Sequence, residues 1–160
     1  MTTAVETGPI AFPRLIPFAH TLGLELWAFG EGKAELRLPL TPALMNSMHV
    51  GHGGVVMTML DVVMAHAARS ADATAHTPAG PGIVTIEMKT SFMRPAAHGP
   101  LRALGQLMHG TATMAFTEGR VFDSAGLLCA HATGTFKLVR PQARVTRPAQ
   151  DPHSPGEAQP

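Results

Sequence analysis

The segment from Gly53 to Asp72 places the strongest constraint on how this chain can fold. Its sequence, GGVVMTMLDVVMAHAARSAD, has the length of a long α-helix, and apolar side chains occupy nearly all of its faces. Because it lacks an amphipathic stripe, such a helix must be enclosed by other elements. A single antiparallel sheet curled round it is the simplest enclosure. We therefore predict an α+β fold in which a long central helix is wrapped by a curved antiparallel sheet.

Alternating apolar and polar residues on both sides of this helix predict the strands of the sheet. Residues 22–38 read as a hairpin that turns at 30–32. Residues 83–92 read as a half-buried strand, and further extended stretches span 101–108, 114–122 and 127–138. In the strand at 83–92 we place Val84, Ile86, Met88 and Phe92 on one face, and Thr85, Glu87, Lys89 and Ser91 on the other. We expect the sheet to be antiparallel and meandering, with Ala130, Ala132 and Gly134 leaving room for close packing.

Length and composition predict one domain and exclude several classes of partner. The 160 residues carry a net charge of only +1, with charges scattered along the chain, so we expect no nucleic-acid partner. The folded domain is predicted at 12–140, between a flexible N-terminus at 1–11 and a disordered tail at 141–160 that contains five prolines. The single cysteine excludes an intramolecular disulfide, and no leader or membrane-spanning run is present, which predicts a cytoplasmic protein.

The predicted helix begins at His52-Gly53-Gly54, where no good capping side chain is present. The first amide groups then need another partner, and glycine lets a ligand atom approach the backbone closely. With the helix dipole behind it, this end is a candidate anion or oxyanion site. A glycine pair that serves only close packing is the alternative, and it is left open.

Asp61 lies in the middle of the apolar helix, where an unpaired ionised carboxylate would be very costly. It is either a functional group or an acid held by a backbone amide or a histidine, and we favour the functional interpretation. Eight residues of helix separate Gly53 from Asp61 by ~12 Å, too far for both to act on one carbonyl group. If both are catalytic, the site must lie at a symmetric dimer interface.

A metal site is the competing interpretation, because His49, His52, Asp61 and His66 fall in a short span. Asp61 and His66 point ~140° apart around a helix, so the ligands do not converge and we predict no metal. A metal-dependent hydrolase that uses His49 and His52 stays an alternative. No nucleophile elbow or phosphate loop occurs, and Cys129 has no evident base nearby.

The chain resembles a known family, the hotdog-fold acyl-CoA thioesterases of the phenylacetate-degradation type. The residues that carry the resemblance are LGLEL, GKAELRLPL, Asn46, HGG at 52–54, Asp61, GIVTIEMKTSFMRPA and GTFKLV. It covers roughly residues 18–138. The resemblance implies a long helix wrapped by a sheet, a homodimer that commonly pairs into a dimer of dimers, and hydrolysis of an acyl-CoA thioester.

The resemblance also implies roles for single residues. Gly53 would donate its N–H to the thioester oxygen, and Asp61 of the partner subunit would attack or activate water. Asn46 and His52 would orient the substrate and the loop, while Thr85 would help to hold the water. A solvated strand threonine is the equally available alternative for Thr85.

Three further expectations concern the substrate. We place the coenzyme A phosphates near Lys89, Arg94 or Arg102, whose cationic groups can pair with phosphate. No cofactor is expected, since coenzyme A is part of the substrate. Gly51 departs from the bulkier residue usual in the family and implies a more mobile loop or a wider pocket, so the acyl group, aryl or medium-chain, stays open. A non-catalytic acyl-CoA carrier or sensor is the alternative function.

Overall fold

The computed structural model describes residues 8–140, so the predicted tail at 141–160 and residues 1–7 of the predicted N-terminus lie outside the described residues. The helices are α1, Pro17–Leu22, and α2, Gly53–Ser70, with a short 3-10 turn at Pro42–Leu44. The strands are β1, Glu25–Gly30; β2, Lys33–Leu38; β3, Gly82–Phe92; β4, Leu101–Gly110; β5, Met114–Phe122; and β6, Leu128–Val139. The hairpin, the long helix and the four later strands are thus confirmed.

All six strands form one antiparallel sheet in the order β1-β2-β4-β5-β6-β3, and α2 packs against its inner face. This confirms the predicted hotdog architecture of a helix wrapped by a curved sheet. The expected simple meander is wrong in one respect. The chain leaves β2, passes through α2 and enters the sheet again at the opposite edge, where β3 pairs with β6 alone. The helix therefore connects the two sides of the sheet, and β3 keeps one free edge.

Close approach of α2 to the sheet depends on small residues in the middle of the strands. A Cβ on Gly105 of β4 would lie 2.5 Å from the Val63 carbonyl oxygen, so only glycine fits under the helix there. On β6, Ala130 and Ala132 are fully buried, and a Cβ on Gly134 would lie 3.1 Å from the Met64 side chain. The expected close packing on this face of β6 is confirmed.

The face assignment predicted for β3 is wrong at the start of the strand, for Val84, Thr85 and Ile86. The register with β6 shifts between Thr85 and Glu87, which makes Ile86 the extra residue of a β-bulge. The bulge reverses the alternation, so Thr85 lies on the helix side together with Met88 and Phe92. Simple alternation placed Thr85 on the other face.

The N-terminal part of the described chain adds two elements that the alternation did not predict. Helix α1 ends at Leu22 and is capped by Gly23, which adopts a left-handed φ of 77°. Before it, the Ile10 N–H donates to the Leu26 carbonyl at 2.7 Å, so the chain already contacts β1 at this residue. Within residues 8–140, no helix has the length and hydropathy that a membrane span needs.

Candidate active site

Asp61 lies on the one stripe of α2 that the sheet does not cover. The stripe contains Gly54, Met57, Asp61 and Ala65, and Met57 is 41% exposed. Asp61 is therefore half-buried in one chain, and is not sealed in the core as its apolar neighbours in sequence suggested. The Thr85 hydroxyl on β3 donates to its Oδ1 at 2.7 Å, while Oδ2 has no hydrogen-bond partner among the described residues. The carboxylate is thus held by one oxygen and presents the other.

The start of α2 has a capping group that the sequence interpretation missed. His52 is the N-cap residue, and its Nδ1 accepts a 3.0 Å hydrogen bond from the Gly54 N–H. The ring nitrogen replaces the oxygen that Ser, Thr, Asp or Asn would supply, which corrects the expectation of an uncapped end. The Gly53 N–H still meets no acceptor within residues 8–140. One amide at the helix start therefore remains available to a ligand.

Asn46 organises the loop that leads to this helix. Its Oδ1 accepts from the Met48 N–H at 2.9 Å and from the Val50 N–H at 3.4 Å. Gly51 follows as a buried residue, and its N–H donates to the Ala96 carbonyl at 2.8 Å. A Cβ there would lie 3.3 Å from that oxygen, so Gly51 reflects close packing against Ala96. This packing gives a local reason for Gly51, while a more mobile loop or a wider pocket stays a prediction.

A cleft of about 340 Å³ opens at the start of the helix. Its walls include Asn46, Gly53, Phe92, Arg94 and Cys129. Sequence reasoning did not single out Phe92 or Met93 as site residues, although the end of a predicted strand, followed by Arg94 and Pro95, is a recognisable signal. Burial raises the pKa of the Cys129 thiol, which agrees with its exclusion as a nucleophile.

Asp61 does not line this cleft, so a single chain does not bring Gly53 and Asp61 to one cavity. Along β3, Phe92 lies beside the helix start, where a Cβ on Gly53 would be 3.6 Å from its ring, and Thr85 lies beside Asp61. The Gly53 N–H and the Asp61 carboxylate therefore lie at two separate positions along the groove between α2 and β3.

The three cations expected to hold phosphate do not converge. Arg94 lines the cleft, and its guanidinium donates to the Leu128 carbonyl at 3.1 Å. Arg102, on β4, donates to both carboxylate oxygens of Glu35, at 2.9 and 2.7 Å. Lys89 is exposed on β3, at the far edge of the sheet from β2. Only Arg94 lies next to the candidate site.

His66, one of the histidines considered as a metal ligand, is a structural residue. His66 is buried, its Nδ1 lies 2.7 Å from the Val62 carbonyl, and its ring packs edge-on against Phe12 and Phe29. Burial lowers its pKa. In the part of the chain that the structure describes, no three His, Cys, Asp or Glu side chains are placed to hold a metal ion.

Comparison with known proteins agrees with this geometry. The profile of the thioesterase superfamily matches residues 48–130, which include Gly53, Asp61 and Thr85. A protein of Thermoplasma volcanium that is named as an esterase, TV1331, is 30% identical over 126 residues, covering 77% of this chain and 88% of the relative.

Solved structures share the fold. The conserved protein PA5202 of Pseudomonas aeruginosa superposes with a TM-score of 0.71 at 29% identity, over 79% of this chain and 97% of that one. The PaaI protein of the Escherichia coli phenylacetic acid degradation operon superposes with a TM-score of 0.67 at 21% identity, over 76% and 83%. This chain belongs to the thioesterase superfamily and is a hotdog-fold thioester hydrolase.

Proposed function

We propose that this protein hydrolyses an aryl- or medium-chain acyl-CoA thioester to the free acid and coenzyme A, with its active sites at a homodimer interface. The observation that carries the proposal is the separation of two complementary groups on one groove. The Gly53 N–H has no acceptor in the described chain, and Asp61 is held by Thr85 with one oxygen presented. A second chain in antiparallel orientation would bring each open amide to the partner's Asp61.

The surface around this groove supports the dimer. Strand β3 spans 11 residues at the edge of the sheet, and such an edge is open to pairing with another strand. Large apolar side chains are exposed on β3, its continuation and the uncovered stripe of α2: Met57 at 41%, Val84 at 50%, Ile86 at 54%, Phe92 at 54% and Met93 at 48%. Apolar groups gathered in this way are typical of an interaction surface. Pairing of the β3 edges would bring a second chain against the helix-side members of this set, Met57 and Phe92.

The mechanism assigns the groups as follows. The Gly53 N–H donates to the thioester oxygen and stabilises the oxyanion of the tetrahedral intermediate, aided by the positive end of α2. Asp61 either removes a proton from the attacking water or itself attacks the carbonyl carbon to give an anhydride that water then opens. In both routes the carbon–sulfur bond breaks, and coenzyme A leaves as the thiol after taking up a proton. Thr85 orients the carboxylate throughout.

Three properties stay predictions of the sequence. These are the cytoplasmic location, the pairing of dimers into a tetramer, and the coenzyme A phosphate contacts. Arg94 is the phosphate ligand that the site favours, because it alone of the three predicted cations lines the cleft beside Gly53. No cofactor enters the proposed reaction.

The test is thiol release from a panel of phenylacetyl-, benzoyl-, hydroxybenzoyl- and C4 to C16 acyl-CoA esters, with wild type and Asp61→Asn compared. We expect at least one ester to be hydrolysed, turnover to be abolished by the substitution, and activity to survive a chelator. A wild-type protein that binds these esters and hydrolyses none of them would instead be a carrier or sensor. Loss of activity with chelator would support the metal-dependent alternative.

A further inference from the structure

A second pocket lies beside Asp61, away from the helix start. It has a volume of about 270 Å³ and is walled by the N-terminal segment, the second half of α2 and the start of β3. Its lining includes Arg14, Leu15, Ile16, Ala65, Arg69 and Ile83, and we call it the arginine pocket. Ala65 is one helical turn beyond Asp61, and Ile83 lies two residues before Thr85. Asp61 and Thr85 do not line the pocket, but both lie close to its lining residues, so the pocket is a neighbour of the candidate catalytic carboxylate.

Two guanidinium groups meet at this pocket. Arg69 is only 6% exposed, and its three nitrogens donate to the carbonyls of Ala75, Thr77 and Pro81 at 2.9 to 3.0 Å. Arg14 uses one nitrogen to donate to the carbonyls of Pro78 and Gly80, both at 2.7 Å. A Cβ on Gly80 would lie 2.8 Å from the Arg69 Nη2, so both cations border the same residue.

No carboxylate within residues 8–140 forms an ion pair with either guanidinium, and the pocket lining contains no acidic residue. A guanidinium has five N–H donors, and carbonyl dipoles engage only part of this capacity in Arg14 and Arg69. Arg69 is buried, whereas Arg14 is exposed. Asp72 contributes an opposite charge near Arg69, but it is paired with Arg140 and does not line the pocket. Two like charges side by side favour an anion beside them. Ile16, Ala65 and Ile83 form apolar walls, Leu15 is apolar but largely exposed, and His66 adds a buried imidazole.

We infer that the arginine pocket receives the acyl group of the substrate and binds a carboxylate at its far end, so that dicarboxylic acyl-CoA esters are preferred. This inference rests on the proposed function, because Asp61 fixes where the thioester lies. The helix rises ~12 Å from Asp61 to Arg69. An extended chain advances ~1.2 Å per bond, so ~10 bonds cover the whole rise. The long arginine side chains cover part of it, which leaves a length that suits an acyl group of about six to ten carbons. The diphosphate of coenzyme A lies at the end of the longer pantetheine arm, which we assign to the cleft beside Gly53.

The experiment compares suberyl-CoA with octanoyl-CoA, which have equal chain lengths and differ in the terminal carboxylate. Wild type, Arg14→Gln and the control Arg120→Gln are assayed. Arg120 is exposed and pairs with Glu118 away from the pocket, so its substitution removes the same charge elsewhere. Arg69 is left intact because it is buried and donates to three carbonyls of the segment at 75–81. Since Arg14 also donates to Pro78 and Gly80, the Tm of Arg14→Gln is compared with that of wild type. The same acyl groups are also assayed as N-acetylcysteamine thioesters, which carry no phosphate.

We expect wild type and Arg120→Gln to favour the suberyl ester by ~10-fold or more in kcat/KM, as a charge-assisted hydrogen bond allows. Arg14→Gln should lose most of this preference in both series, through a fall in kcat/KM for the suberyl esters. An equal loss for both acyl groups that occurs only with the CoA esters would place a coenzyme A phosphate at Arg14 and overturn the assignment. Equal turnover of suberyl and octanoyl esters by wild type would also overturn it, while the hydrolase itself would stand.

If wild type hydrolyses neither these two esters nor any ester of the wider panel, the proposed function fails, and calorimetric binding of the free acids still tests the pocket. Suberate should then bind wild type more tightly than octanoate, and Arg14→Gln should remove the difference. Equal binding of the two acids would overturn the inference independently of catalysis.

Discussion

The Thr85 hydroxyl donates a 2.7 Å hydrogen bond to the Asp61 Oδ1, joining strand β3 to helix α2 across 24 positions of sequence. The bond engages one carboxylate oxygen and leaves the other to face water or substrate. It also fixes the direction of the carboxylate, because both partners lie on regular elements. Thr85 is thus a positioning residue for Asp61.

Replacing Thr85 by valine keeps the shape of the side chain and removes the donor. We expect kcat to fall ~10- to 100-fold, the range for a lost hydrogen bond to a charged group, with a small change in KM. Thr85→Ser should retain most of the activity. Thr133→Val, on an exposed position of β6, is the matched control. Full activity in Thr85→Val would remove Thr85 from the mechanism.

We expect His52 to affect stability and activity by capping the start of α2. His52→Ala removes the acceptor of the Gly54 N–H and should lower the free energy of unfolding by about 1 kcal/mol, the usual cost of losing a cap. His52→Asn supplies another capping acceptor and should restore both stability and activity. Urea unfolding and thiol release measure the two effects. An inactive but stable His52→Asn protein would mean that the imidazole contacts the substrate directly.

Substitution of Gly105 tests how closely α2 packs on the sheet. A Cβ at this position would lie 2.5 Å from the Val63 carbonyl oxygen, so helix and strand must separate. We expect Gly105→Ala to lower the free energy of unfolding by about 1–3 kcal/mol or more. Gly30→Ala, where a Cβ meets nothing within 4 Å, is the control. Equal stability of the two variants would contradict the close approach.

The buried imidazole of His66 should make the stability of the protein depend on pH. Burial lowers its pKa below the ordinary value of 6.5, so the folded protein binds a proton less readily than the unfolded chain. Stability from this group is complete above pH 6.5 and falls as the pH drops, with a slope of at most ~1.4 kcal/mol per pH unit. Urea unfolding of wild type and His66→Leu between pH 7.5 and 5.5 measures it. Equal slopes in the two proteins would contradict the prediction.

Local sequence patterns predicted the elements of this fold well. The apolar run from Gly53 indicated the central helix, and alternation indicated the strands, because both signals depend on neighbours within one element. The position of β3 at the far edge and the bulge at Ile86 depend on pairing with β6, which local alternation does not encode. For this reason Thr85 was assigned to the wrong face.

The candidate site was predicted in part. Asp61 and Gly53 stood out by their chemistry, and the family resemblance supplied Thr85. The capping role of His52 was missed because histidine is not among the preferred capping residues. Arg14 and Arg69 are 55 positions apart in sequence, and only folding brings them to one pocket.

The measurement that tests the shared interface site most directly is activity after subunit mixing. Asp61→Asn and Gly53→Pro should each be inactive, the latter because proline fits the first helical position and lacks the N–H. Gly53→Ala keeps the N–H, and its Cβ would make only ordinary contact with Phe92, so it should stay active.

After exchange of equal amounts, half of the dimers are mixed and each mixed dimer regains one wild-type site. We expect recovery of ~25% of wild-type activity. Mixed dimers that are present by mass spectrometry but inactive would contradict a site built from Gly53 of one subunit and Asp61 of the other.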